Sequence, residues 1–303
     1  METQLIVQLL KCKKLIGRGA TSVVYRVKNC YTNHGFLCLK ILNSEIINQI
    51  IEHNIKKSSK KSIWNEEEEY LSEKEEEEDE HSNKIDIKKV KQLCLEYELL
   101  FKLDHPNIIN VYGFYFGDET HAPAILLEYC KFNLEKVITE LNDFELVGVI
   151  YEICSAMKCV HENKIIHRDL KMKNILINTK KHVKICDFGI SKVAELATYT
   201  STTQGVGTLP FMAPELFNPK RKCTEKVDVY SFGVVMYFIV TKGKMPEFRI
   251  DASYESLDLP ESINKLSQSI IKKCWSTDPQ NRPSFDDILK LIVKKKFALI
   301  DGI

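Results

Sequence analysis

From Ile165 to Leu176 the chain reads I-I-H-R-D-L-K-M-K-N-I-L, two apolar pairs enclosing a run of polar groups. Three of these groups are placed to do chemistry. Asp169 can take a proton from a hydroxyl. Lys171, two residues on, can neutralise charge on a phosphoryl group. Asn174 offers an amide oxygen, a hard ligand suited to Mg²⁺. Further along, Val183-Lys184-Ile185-Cys186 predicts a short strand that delivers Asp187 into a turn at Phe188-Gly189. A carboxylate at a strand end and an amide oxygen make a pair for Mg²⁺. The segment closes at Ala213-Pro214-Glu215.

Other elements must position these groups. The apolar spacing of Leu146, Val149, Ile150, Ile153, Met157 and Val160 predicts a helix over 146–161 that leads into the polar run. Lys14 to Lys28 places apolar residues on both sides of Gly17-Arg18-Gly19, which predicts a hairpin whose glycines let backbone N–H groups approach phosphates. Phe36 to Leu42 predicts an apolar strand holding one lysine, Lys40, a costly placement unless the charge is paired. Val90, Leu93, Cys94, Tyr97, Leu100 and Phe101 form one apolar stripe at helical spacing. Ala124 to Leu127 predicts a buried strand, and Glu128-Tyr129-Cys130 breaks it. Asp228 opens an almost wholly apolar helix, which must be buried, and its position suits an N-cap.

Composition narrows the class. A chain of 303 residues with 44% hydrophobic residues can bury a core as one large domain or two lobes. Its net charge of +1 names no partner, and neither nucleic acid nor a membrane segment is expected. The 10 cysteines include no C-x-x-C pair and several sit in apolar patterns, so they read as reduced core thiols of a cytoplasmic protein. Met1-Glu2-Thr3-Gln4 lacks the basic start of a signal peptide, and the longest apolar run, Phe232 to Val240, is too short to span a bilayer.

The three motifs in order resemble the signature set of the protein kinases. His167-Arg168-Asp169 with Asn174 matches the catalytic loop, Asp187-Phe188-Gly189 the metal-binding turn, and Ala213-Pro214-Glu215 the end of the activation segment. The resemblance implies an α+β, bilobal fold. A small β-rich lobe with one main helix would cover 1–127, a hinge 128–131, and a larger, mostly helical lobe 132–303, with ATP between the lobes. It makes Asp169, Lys171, Lys40 and Glu96 catalytic. Glu96 is chosen because it lies nine residues before His105 of the His105-Pro106-Asn107 turn; Glu98, on another helix face, is the competing choice. Asn174 and Asp187 would hold Mg²⁺. Around ATP it places Ile16, Gly17, Gly19, Val24, Cys38 and Lys40 from the first lobe. Leu127 as gatekeeper, Glu128, Cys130, Leu176 and Cys186 complete the set. Ser22 stands where the family has a third glycine, which loosens the expected phosphate contact.

Cys274-Trp275 and the run Asp278 to Phe285 are similar to the tyrosine-kinase-like group of serine/threonine kinases, in which Arg282 would pair with Glu215. Lys171 and Gly207-Thr208 point to Ser/Thr hydroxyls of protein substrates, with dual or tyrosine specificity the alternative. A pseudokinase scaffold is the rival from another class; Lys40, Asp169 and Asp187 are all present and argue against it. By the resemblance the hydroxyl-rich run Thr198 to Thr203 lies in an activation loop; a phosphate on the Thr200 to Thr203 group would pair with Arg168, and Thr208 is excluded as the regulated site because the resemblance puts it beside Asp169 and Lys171. Upstream signalling proteins are the expected partners.

Between Lys40 and the next predicted helix lies more chain than this family needs. Glu66 to Glu80 holds eleven acidic residues and one lysine, which leaves about +11 on the remainder. Such density resists packing, so 51–86 is expected to be a disordered insert, either a bare tether or an electrostatic mask over a basic face. If it is a mask, deleting Glu66 to Glu80 raises activity on acidic peptides, most at low salt, because screening acts beyond about 8–10 Å at physiological ionic strength. Equal activity with and without the run at every salt concentration identifies a bare tether.

Overall fold

The computed structural model describes residues 13–19, 22–28, 35–42, 89–117, 121–193, 208–217, 223–247 and 257–294. The acidic stretch expected over 51–86 and the run Thr198 to Thr203 lie outside them. The chain divides into two compact units. One comprises Met1–Glu98 with Asn110–Tyr129, the other Leu99–Ile109 with Cys130–Ile303.

The first unit is built on an antiparallel sheet. Its strands are β1 (Lys14–Arg18), β2 (Ser22–Lys28), β3 (Phe36–Leu42), β4 (Val111–Tyr115) and β5 (Ala124–Glu128), in the order β1-β2-β3-β5-β4. Period-two alternation on β3 decides its faces. Leu37, Leu39 and Ile41 enter a core with Val27, Tyr115, Ala124 and Leu126, so Cys38 and Lys40 occupy the opposite face. The β1–β2 hairpin forms as expected, with a register shift between Leu15 and Gly17. Ser22 is the buried first residue of β2, and its carbonyl accepts the Gly19 N–H at 2.8 Å.

A helix, α1, runs over 89–102. Leu93 and Leu100 are buried as the stripe predicts, together with Leu99, but Phe101 at the end of that stripe is 71% exposed. The boundary between units also departs from the expected one. Leu99–Ile109 belongs to the second unit because its backbone is bonded into it. Ile109 N–H donates to Ile185 O at 2.9 Å, Ile185 N–H to Asn107 O at 2.8 Å, and the Asn107 amide to Val183 O at 3.2 Å.

In the second unit β6 (Phe132–Asn133) leads into the short helix α2 (Leu134–Val137), followed by α3 (Asp143–Glu162). Asn142 and Glu145 start α3 with a reciprocal capping box. The predicted apolar face is observed, with Leu146, Val149, Ile150, Ile153, Met157 and Val160 all buried. Next come β7 (Ile165–Ile166), β8 (Ile175–Ile177), β9 (Val183–Ile185) and β10 (Lys192–Val193). β6, β8 and β9 form one small sheet, and β7 pairs with β10.

The helix α4 (Lys226–Val240) is buried at every position from Val227 to Ile239, as its all-round apolarity predicts. It packs against α5 (Lys265–Cys274), and α6 (Phe285–Lys294) packs on α3. Among the described residues no helix is long and apolar enough to cross a membrane.

Glu215 and Arg282 form the expected ion pair, with bonds of 2.6 and 2.8 Å and both side chains buried. Arg282 also donates to Ser276 O and Lys226 O and stacks over the Tyr230 ring. Burying two charges is favourable only when the donors are satisfied in this way; removing one partner from such a pair costs about 3–5 kcal/mol.

Gly233 lets α4 approach the residues closing α5 closely. A Cβ there would stand 2.6 Å from Trp275 Nε1 and 2.9 Å from Cys274 Cβ. Gly233→Ala is therefore expected to destabilise the fold by about 1–3 kcal/mol, despite the higher helix propensity of alanine. Urea unfolding measures it; an unchanged midpoint would mean the two elements separate without cost.

Candidate active site

In the first unit, cross-strand pairing collects the expected nucleotide residues on the sheet face opposite the core. Gly17 pairs with Val24, Val24 with Lys40, and Cys38 with Leu127. Directly opposed residues share a face, so Gly17, Val24, Lys40, Cys38 and Leu127 line up together. Ile16 on β1 is 46% exposed. The Glu128 N–H is given to Asn110 O at 2.9 Å, so an adenine contact at Glu128 falls to its carbonyl.

Lys40 answers its burial cost through Glu96. Its ammonium donates to both carboxylate oxygens at 2.7 Å, and Glu96 is 2% exposed. Glu98 is exposed on another face of α1. Two residues before Lys40, burial pushes the Cys38 thiol up to about 12, against the smaller opposing influence of the Lys40 charge.

The polar run of the second unit is gathered around Asp169. Lys171 Nζ lies 2.6 Å from Asp169 Oδ2, and the Asn174 amide donates to the same oxygen and to the Asp169 carbonyl, both at 2.9 Å. Thr208 joins from far along the chain: its hydroxyl donates to Asp169 Oδ1 at 3.2 Å and accepts from Lys171 Nζ at 2.9 Å. Every polar neighbour therefore fixes the orientation of one carboxylate.

Asn174 and Asp187 come from adjoining backbone. Cys186 N–H donates to Asn174 O at 3.0 Å, so Cys186 itself joins the two segments, with Leu176 two residues after Asn174. His167 ties the same two segments. Its Nδ1 accepts the Asp169 N–H, so its Nε2 carries the proton given to Cys186 O. Phe188 is buried edge-on against the His167 ring. Arg168 and Asp187 both have positive φ, 70° and 66°, a conformation that costs non-glycine residues about 1–3 kcal/mol and persists only where surrounding contacts impose it.

The residues fit a Mg²⁺ ion. With its amide nitrogen bonded twice to Asp169, Asn174 has its side-chain oxygen as the ligand atom, beside the chain that carries the Asp187 carboxylate. Among the described residues no three His, Cys, Asp or Glu side chains gather as a metal cage. A Mg²⁺ ion held by one or two protein oxygens with phosphates and waters needs none.

The sequence reading misjudged Asp228. It is no N-cap: Glu225 holds that position, and Asp228 lies inside the first turn of α4 with no exposure. Its carboxylate accepts the backbone N–H groups of His167 at 2.9 Å and Arg168 at 2.8 Å, and His161 Nε2 at 2.9 Å. Burial alone would push this carboxyl up. The hydrogen bond and charge of His161, the charge of His167 and the Arg168 N–H outweigh it and hold the group below the usual carboxylate range.

With this geometry in hand, comparison with known proteins is direct. Residues 74–292 match the family described as protein tyrosine and serine/threonine kinase. The chain belongs to this family, in the tyrosine-kinase-like group.

It is 39% identical over 215 residues to mitogen-activated protein kinase kinase kinase dlk-1 of Caenorhabditis elegans, covering 67% of this chain and 23% of that protein. Mitogen-activated protein kinase kinase kinase 12 of Rattus norvegicus is 36% identical over 69% of this chain and 24% of its own length. Serine/threonine/tyrosine-protein kinase HT1 of Arabidopsis thaliana is 32% identical over 74% of this chain and 60% of its own. The chain thus spans about a quarter of the first two relatives.

Asp228→Asn tests the clamp. The neutral amide keeps the shape but turns a donor toward backbone N–H groups, an expected cost of about 1–3 kcal/mol at pH 7. Because the folded carboxyl titrates below its unfolded value, its stabilisation is present above about pH 3.9 and is lost as pH falls through the folded value. The difference in unfolding free energy between wild type and variant should therefore narrow in acid. A difference independent of pH would rule out the carboxylate charge as its source.

Proposed function

We propose that this chain transfers the γ-phosphoryl group of ATP to serine and threonine hydroxyls of proteins, in the cytoplasm and under the control of upstream signalling proteins. The observation that carries this is the set of bonds on Asp169: Lys171, Asn174 and Thr208 hold its carboxylate in one orientation. In that role Asp169 orients the substrate hydroxyl and accepts its proton, and Lys171 steadies the charge on the moving phosphoryl group. Thr208 beside both groups supports Ser/Thr as acceptors.

The family match begins at residue 74, so it does not reach β1 to β3. For that part the support is the Lys40–Glu96 pair, the arrangement that lets a lysine hold the ATP phosphates. Gly17, Gly19, Val24, Cys38 and Leu127 would border the nucleotide on the first unit. Asn174 and Asp187 would hold Mg²⁺, which when bound neutralises charge on the phosphate oxygens.

A second reading, dual specificity, is favoured by relatives named a serine/threonine/tyrosine kinase and a dual specificity kinase. Regulation by phosphorylation of the Thr198 to Thr203 run is supported by Arg168. Arg168 is 5% exposed, and among the described residues its Nε and Nη2 have no hydrogen-bond partner.

Incubation of the wild type with Mg²⁺·ATP, followed by phosphosite mapping, tests the proposal. Asp187→Ala should abolish turnover, and Lys40→Met should lower it by orders of magnitude with little change in melting temperature. Phosphate should appear on Ser and Thr, including the Thr198 to Thr203 run. Comparable phosphotyrosine would establish the dual reading, and turnover that survives Asp187→Ala would overturn both.

A further inference from the structure

His105 stands half-buried in the turn by which Leu99–Ile109 joins the second unit, and both of its ring nitrogens are committed. The Asn107 backbone N–H donates to Nδ1 at 3.1 Å. A backbone N–H can only donate, so Nδ1 holds no proton and the neutral ring carries its proton on Nε2. That N–H is given to Ser155 Oγ of α3 at 3.0 Å.

The turn supports a specific connection. Asn107 is buried and reaches β9 twice: its carbonyl accepts the Ile185 N–H at 2.8 Å, and its side-chain amide donates to Val183 O at 3.2 Å. Ile109 N–H returns to Ile185 O at 2.9 Å. β9 ends two residues before Asp187. The lone pair on His105 Nδ1 therefore fixes the residue that ties the segment after α1 to the strand leading to Asp187.

A second proton on the ring changes this. In the imidazolium both nitrogens are donors, so Nδ1–H faces the Asn107 N–H, donor against donor. The new charge also meets others. On β9 the buried Lys184 ammonium donates to the Ile108 carbonyl at 3.4 Å and opposes a second cation in the turn. Asp104 in the same turn and Glu152 of α3 favour one. Asp104 is exposed, however, and both Glu152 oxygens are engaged, by His182 at 2.6 Å and by the Val183 N–H at 2.7 Å. Burial has the largest effect, and with Lys184 it draws the ring below the ordinary histidine value.

We infer that His105 is a proton-operated latch: neutral, it holds Asn107 and the Leu99–Ile109 segment on β9; protonated, it releases them. The ring binds a proton more weakly in the closed turn than in the open one. The latch is therefore fully held above the ordinary histidine value of about 6.5 and weakens as pH falls from there through the lower value of the closed turn. Over that range the opening equilibrium grows by up to about tenfold per pH unit. A slackened β9 disturbs the placement of Asp187, so phosphoryl transfer should fall over the same range. That consequence rests on the function proposed above; the latch itself does not.

Amide hydrogen exchange on the wild-type chain, between about pH 7.5 and 5, reads the latch without turnover. Protection of the Asn107, Ile109 and Ile185 amides, corrected for the intrinsic pH dependence of exchange, should fall while protection within α4 holds. The His105 ring resonances should titrate below about pH 6.5. His105→Asn separates the acceptor from the titration: its side-chain oxygen accepts the same N–H two residues on and takes up no proton in this range. In that variant the protection should not change with pH.

Wild-type protection that does not move with pH, or that falls equally across α4, overturns the inference, even if the variant fails to fold. So does a folded His105→Asn chain that loses protection as the wild type does. On turnover, the ratio of His105→Asn to wild type should rise as pH falls. A constant ratio beside the expected exchange result would keep the latch and remove its link to catalysis. A chain without turnover at any pH would defeat the proposed function and leave the exchange result standing.

Discussion

One buried carboxylate holds the second unit's chemistry in shape. Asp228 sits in a helix whose neighbours are almost all apolar, where an ionised group is unfavourable unless each oxygen is bonded. Three donors meet that demand, and two of them are consecutive backbone N–H groups of the polar run. That constraint helps to keep Arg168 in a left-handed conformation unfavourable for any residue but glycine. The strained backbone and the buried charge compensate one another: the turn presents its N–H groups to one carboxylate, and the carboxylate keeps the turn from relaxing. Asp169 follows directly, so its backbone is placed by an interaction in which its own side chain takes no part, and Lys171, Asn174 and Thr208 then orient the carboxylate.

The charged groups of the two units obey the same rule. Lys40 is tolerable on its strand because Glu96 meets it with both oxygens, and Asp169 is tolerable because Lys171, Asn174 and Thr208 share it. In each case the partners satisfy the charge and hold it in one direction. Cys38 shows the limit of such fields. It lies two residues from Lys40 on the same face, yet desolvation dominates and the thiol stays protonated. A cation activates a thiol only where the thiol keeps some access to water.

Much of this was legible in the sequence, for identifiable reasons. Local periodicity located α3, α4 and β3, because each buries a face whose spacing is intrinsic to the element. Asp169, Lys171 and Asn174 were picked out by residue type and short spacing, and the structure gathers all three through hydrogen bonds on the Asp169 carboxylate. Asp228 was misjudged because a carboxylate at a helix start has a sufficient local explanation, and its true partners lie about sixty residues upstream. Phe101 continued an apolar stripe, but periodicity says which face a residue shares and not how far that face is covered. The transfer of Leu99–Ile109 to the second unit depends on bonds to Ile185 and Val183, which no local pattern announces.

Two buried arginines make the remaining argument by contrast. Arg282 and Arg168 are both nearly inaccessible, at 2% and 5% exposure. Arg282 is finished: its Nε, Nη1 and Nη2 reach Ser276, Lys226 and both oxygens of Glu215, all within the chain. Among the described residues the Arg168 guanidinium is bonded at Nη1 alone, and burial draws its pKa below the ordinary value for arginine. Arg282 thus contributes a stabilisation that is complete among the described contacts, whereas those contacts offset the burial of the Arg168 guanidinium through Nη1 and leave Nε and Nη2 without a described acceptor.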